Sequence, residues 1–172
     1  MVQLKKITII FPLLGFLGLL SFNFLLAQNT AYLNFTVRIE KRFKVIMSTN
    51  FISFVRTSTQ GKPQLIPANE NPVEMTIKTN LPQGAKAKAW FIAASDLIDY
   101  STGYTIKIET ISWEAKGNGF FSGHLSKSSP VLLALISGAG EIKGILNFLF
   151  AEDPNFAPGT YQSQVTLLVE AL

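Results

Sequence analysis

His124 is the only histidine in a chain of 172 residues that has no cysteine, and these two counts close off much of the usual chemistry. A serine hydrolase needs an imidazole beside a hydroxyl. Ser122 and Ser126 flank His124 two residues away on either side, but that is proximity along the chain only. No Gly-x-Ser-x-Gly elbow presents a serine to it, so His124 reads as a partly exposed strand or turn residue. With one histidine, no cysteine and no His-Glu-x-x-His, a zinc site lacks its ligands. Thiolate nucleophiles and disulfides are excluded outright.

Paired carboxylates are the next candidates, because glycoside hydrolysis needs two acids across a cleft. The closest pairs, Asp96 with Asp99 and Glu152 with Asp153, fall in segments that read as loops, where Asp is a turn former. Glu152, Asp153 and Asn155 lack the evenly spaced acidic loop of an EF-hand calcium site. Gly117-Asn118-Gly119 has the composition of a hairpin turn rather than a phosphate cradle. The expectation is a protein without catalytic residues, cofactor or metal, and not an enzyme.

Flat aromatics remain. Trp90, Tyr100, Tyr104 and Trp113 could together form a sugar-stacking platform, which makes a small carbohydrate- or ligand-binding module the alternative reading. Against it, Trp90 sits in Ala-Trp-Phe-Ile-Ala, and Trp113 shares the face of Ile111. Both tryptophans therefore read first as core residues of an Ig-like domain.

The elements that must position these residues are strands. Val, Ile, Thr, Phe and Tyr recur in short windows separated by Gly, Pro, Asn and Ser clusters. Along Tyr32–Ile39, the residues Leu33, Phe35, Val37 and Ile39 fall on one face and Tyr32, Asn34, Thr36 and Arg38 on the other. That period of two means one buried and one wet face. Val73–Thr79 and Thr160–Glu170 repeat the pattern. Further strands are expected at Phe43–Met47, Ile52–Arg56, Ala87–Ala94, Tyr104–Ile108, Ile111–Ala115, Val131–Ile136 and Ile142–Phe150. The last two are apolar on both faces and should be central or covered by a partner. Asp96–Thr102 reads as one helical turn or a loop, and Thr57–Pro72 as a crossover between sheets. About eight to ten short strands with regular turns predict an all-β, Ig-like antiparallel sandwich.

Before the sandwich comes a leader. Lys5 and Lys6 precede a nearly continuous apolar run, Ile7–Leu26, which ends at Ala27-Gln28-Asn29-Thr30. A positive end, an apolar core and a small residue are the parts of a signal peptide. The run is also long enough to act as an N-terminal anchor. Residues 1–27 are thus expected to be a leader helix that takes the protein out of the cytoplasm, and 28–172 a single domain. A chain of about 145 residues buries roughly 68–70% of its unfolded surface and holds without staples.

Charge points away from nucleic acid. Without Lys5 and Lys6, 13 of the 15 basic residues remain against 11 acids, and they are scattered rather than gathered on one face. Only 15% of the chain is charged, against about 25% in ordinary soluble domains, which suggests packing against something or a large buried core.

The segment Ala157-Pro158-Gly159-Thr160-Tyr161-Gln162-Ser163-Gln164-Val165-Thr166-Leu167 resembles the closing strand of bacterial fimbrial-type and spore-coat-U-like secreted sandwich domains. In those a Gly-x-Tyr turn launches an alternating strand, here through Gly159, Tyr161, Val165 and Leu167. Thr36–Phe54, a Thr-Val strand followed by Asn50-Phe51-Ile52-Ser53-Phe54, is similar to their opening. The resemblance implies a pilus- or coat-like structural subunit at the cell surface or in the periplasm. It also implies assembly with copies of itself or sister domains by strand donation. The candidate exchange strand is Ala31–Ile39, with Leu33, Phe35, Val37 and Ile39 as its interface, unless it is simply the domain's own first strand. Val131–Ile136 is the candidate acceptor edge.

Overall fold

The alternation at Tyr32–Ile39 becomes strand β1 (Thr30–Ile39), with Leu33 and Phe35 buried and Asn34 and Thr36 exposed. The computed structural model describes residues 30–39, 43–55 and 63–172, without the side chains of Arg38 and Ile39. The expected leader (1–27) and the turn around Thr59–Lys62 lie outside the described residues, as does the side chain of Ile39.

Twelve further strands follow: β2 (Phe43–Met47), β3 (Phe51–Val55), β4 (Gln64–Pro67), β5 (Val73–Asn80), β6 (Lys86–Ala93), β7 (Leu97–Ile98), β8 (Thr105–Ile106), β9 (Ile111–Lys116), β10 (Gly123–His124), β11 (Val131–Ser137), β12 (Ala139–Glu152) and β13 (Thr160–Ala171). Ten of the thirteen are four residues or longer. They form two sheets. One runs β11-β6-β13-β1-β3, with β7 and β8 attached beside β13; the other runs β10-β9-β12-β5-β2, with β4 on β12. This is the expected all-β sandwich.

Each sheet turns its apolar face inward, and the rings interlock across the gap. Phe35 of the first sheet lies 5.6 Å from Phe148 of the second, and Phe91 meets Trp113 edge-on at 5.1 Å. The buried Trp113 indole N–H donates to the Phe121 carbonyl at 2.7 Å, so its one polar atom is satisfied.

Four details differ from the sequence reading. The pairing is not wholly antiparallel: β1 runs parallel to β13, from Thr30 opposite Thr160 to Ile39 opposite Val169. Strands from the two ends of a chain share no tight turn, so nothing local fixes their relative direction. The Thr57–Pro72 crossover contains β4, a strand too short and proline-bounded to announce itself. Asp96–Thr102, expected as one helical turn or a loop, is a loop that contains the two-residue β7, and the expected Tyr104–Ile108 strand shrinks to β8 plus a 3-10 turn at Ile108–Thr110. Finally, of the two strands expected to be central or covered by a partner, β12 is central and Val131–Ile136 (β11), also the candidate acceptor, is an edge. Its second apolar face is half-buried, with a bulge between Leu132 and Ala134.

Candidate functional site

An exposed strand edge presents unpaired backbone groups that another strand can join. In this domain most edges are blocked. On β3, the main chain of Ser53 points outward. Its N–H donates to the Glu70 carboxylate at 2.6 Å, and its carbonyl accepts the Asn69 N–H at 2.9 Å. On β11, Phe121 N–H donates to the Leu133 carbonyl and Leu135 N–H to the Gly119 carbonyl, both at 2.8 Å. The edge proposed from the sequence as an acceptor is therefore occupied by the chain's own Gly119–Phe121. β10 is two residues long, and β4 ends in Pro67 after Pro63, neither of which carries an N–H.

One seam stays open among the described residues. β3 pairs with β1 only from Thr30 to Asn34, and Phe35 N–H then reaches the Asn50 carbonyl at 3.0 Å. By strand alternation the main chain of Val37 faces the same side, where no described strand lies. Across the sandwich, β2 pairs with β5 on one side and has no described strand on its other side. Between these two edges runs a cleft of about 380 Å³, lined by Val37, Val45, Met47, Ser48, Thr49 and Asn50. Val45 and Met47 stand opposite the buried Ile77 and Met75 of β5, so the cleft is an opening into the core.

No family model and no curated protein matches this chain.

The residues singled out by sequence separate into three groups. Of the candidate exchange interface, Leu33 and Phe35 are buried in this chain's own core, and β1 lies between β13 and β3. Here β1 is the domain's own strand, one of the two readings left open by the sequence, and Val37 alone of the described side chains in that interface is exposed.

The closing-strand motif is a corner that pins β13. The Tyr161 hydroxyl donates to the Ala157 carbonyl at 2.7 Å, and Val165 and Leu167 are fully buried. Gly159 is packed so tightly that a Cβ there would collide with the Asp99 carboxylate. Asp99 in turn accepts the Ser101 N–H at 2.8 Å and the Ser101 hydroxyl at 2.6 Å. Those bonds hold its carboxyl below the usual Asp range, while burial, with Asp99 and Tyr104 nearby, pushes the Tyr161 phenol up.

The aromatic platform does not assemble as drawn. Trp113 is core, as its face predicted. Trp90 is not: it is half-buried on the outer face of the first sheet, level with Leu132 and Leu168. Its neighbours Ala89 and Phe91 are the ones that point inward, so the apolar run concealed which parity was buried. Tyr100 and Tyr104 are both exposed in one tight loop, closed by the Asp99 N–H donating to the Tyr104 carbonyl at 2.9 Å.

Asp96, Asp99 and Asp153 behave as turn formers, whereas Glu152, expected in a loop, is the last residue of β12. Asp96 accepts the Ile108 N–H at 3.1 Å and pairs with Lys127; burial opposes its charge, but these contacts outweigh it and hold its pKa low. Asp153 accepts the Asn155 N–H at 2.8 Å, Glu152 is buried, and His124 is exposed. Among the described residues no three His, Asp or Glu side chains gather as a metal site.

Asn69-Glu70-Asn71 holds two strands without any signature in the sequence. Asn71 bridges the gap between β4 and β5: its amide donates to the Phe148 carbonyl at 2.8 Å and accepts the Phe148 N–H at 2.9 Å. Three polar residues before Pro72 look like any loop, and no periodicity marks them.

Proposed function

We propose that this protein is a non-catalytic, exported assembly subunit that joins its partners through the open seam beside Val37, Val45 and Met47. The observation that carries the reading is the contrast between edges among the described residues: the others are blocked or short, and two open ones adjoin the same cleft. An added strand would gain main-chain hydrogen bonds and cover apolar side chains together. Export rests on Lys5-Lys6 and the Ile7–Leu26 run, and the fimbrial-type resemblance of Ala157–Leu167 points the same way.

The partner is a second copy of the chain. Two β2 strands set antiparallel about Val45 place Phe43 opposite Met47 and Lys44 opposite Ile46. No lysine then faces a lysine, and the lysine stem can lie along the isoleucine. Such a contact is two-fold and self-complementary.

Sedimentation velocity of the full-length chain tests it. Concentration-dependent association is expected, and Ile46→Lys, which sets Lys44 against a new cation, should weaken it about tenfold or more while the fold stays intact. A chain that remains monomeric at every concentration, or whose association ignores Ile46→Lys and Val37→Asp alike, overturns the reading.

A further inference from the structure

The first sheet carries a second cleft, of about 380 Å³, on its outer face next to the β7–β8 loop. Its floor is Asn34 of β1 with Gln162 and Gln164 of β13, and its wall is Ser95 and Tyr100. No charged side chain lines it. A phosphate or carboxylate would find no cation there, and a metal ion would find no carboxylate.

The floor is held in place. The Gln164 amide donates to the Thr36 hydroxyl at 2.6 Å, the Ser163 hydroxyl to the Ser95 carbonyl at 2.8 Å, and Ala94 N–H to the Gln164 carbonyl at 2.8 Å. Asn34 and Gln162 differ: both are exposed, and neither side chain hydrogen-bonds to a described residue. Each free amide offers two donors and one acceptor without charge. Asn34 stands level with Gln164 and Gln162 level with Tyr32, so the two free amides are diagonal neighbours, about 8 Å apart from strand spacing and rise. A ligand that suits them must donate and accept at adjacent points while staying neutral, which describes the hydroxyls of a sugar ring.

Tyr100 adds the flat apolar surface. It is 74% exposed, on a loop fixed by Asp99 through Ser101 and by the Gly103 N–H donating to the Asp99 carbonyl at 2.7 Å. A ring held this way can stack on the C–H face of a sugar at little entropic cost. The same sheet face then continues along β6 through Ile92 to Trp90, roughly 13 Å from Ala94 at strand rise, with Leu168 beside it. The face thus offers free amides and a ring at one end and a second ring at the other.

We infer that this face binds a neutral oligosaccharide: Asn34 and Gln162 bond ring hydroxyls, Tyr100 stacks on that ring, and the chain extends toward Trp90. This site lies on the outer face of the first sheet, away from the seam, which opens between Val37 of that sheet and Val45 and Met47 of the other.

The test is titration of the full-length chain with a panel of neutral disaccharides and trisaccharides (maltose, cellobiose, xylobiose, lactose, mannobiose and their trimers). It is followed through the side-chain amide NMR signals of Asn34 and Gln162. At least one sugar should move both signals at millimolar concentration. Gln162→Leu and Tyr100→Ala, exposed positions on separate elements, should each weaken binding about tenfold with unchanged circular dichroism. Ile46→Lys in the seam should leave sugar binding untouched. If no sugar of the panel moves those two signals, or if binding survives both Gln162→Leu and Tyr100→Ala, the inference is wrong.

Discussion

Leu33 and Val37 stand on the same face of the same strand, yet Leu33 has no solvent exposure and Val37 is 37% exposed. Phe35, between them, is 7% exposed, so the inner face of β1 opens step by step as it passes the end of β3. The two ends of one alternating strand therefore tolerate opposite things. Leu33→Asp would bury a charge with no partner and should cost about 4 kcal/mol or prevent folding. Val37→Asp should change stability by about 0.5 kcal/mol or less while weakening self-association. Urea unfolding of both variants, with sedimentation of the second, checks the pair.

Asn71 supplies the hydrogen bonds of a missing strand residue. Asn71→Ala leaves the N–H of the buried Phe148 without its partner, while the carbonyl keeps the Ala68 N–H at 3.0 Å. A loss of about 1–3 kcal/mol in chemical denaturation is expected. Asn155→Ala should be nearly silent by the same measurement, because only the backbone of Asn155 takes part in its turn.

Gly159 touches Asp99 too closely for a side chain. Gly159→Ala should cost about 1–3 kcal/mol through overpacking. Since the obstacle is the Asp99 carboxylate, the effects of Gly159→Ala and Asp99→Ala should fall short of additive by about 0.5 kcal/mol or more in a double-mutant cycle. Strict additivity would place the steric conflict elsewhere.

The pH dependence follows from the same carboxylate. Ser101 bonds hold Asp99 below its ordinary value of 3.8 in the folded protein. The folded state thus binds the proton less readily than the unfolded one. The stabilisation is complete above 3.8 and is lost as pH falls through the lower folded value. Asp96 and Glu141, the latter bonded to Lys78 and Lys143, are lowered as well and add to the same trend. Thermal unfolding should therefore show stability declining in acid below the ordinary carboxylate range, with a shallower decline in Asp99→Asn.

The sequence alone determined the class of fold and most of its strands. Strand periodicity is a local property, and at Val73–Thr79 and Thr160–Glu170 the polar residues between the apolar ones fixed both the element and its inward face. Where apolar residues fill both parities, as around Trp90, periodicity loses its meaning and the wrong ring reads as core. The Gly159–Tyr161 turn was also legible, because its residue types do a local job.

Only the tertiary structure decided which edges are open. Ser53 is blocked by Asn69 and Glu70, sixteen and seventeen residues on, and β11 by the loop after β9. The parallel meeting of β1 with β13 and the gathering of Asn34, Tyr100 and Gln162 join parts of the chain far apart in sequence. Edges and clefts are made of such non-local neighbours, and a one-dimensional pattern carries no record of which segments will meet.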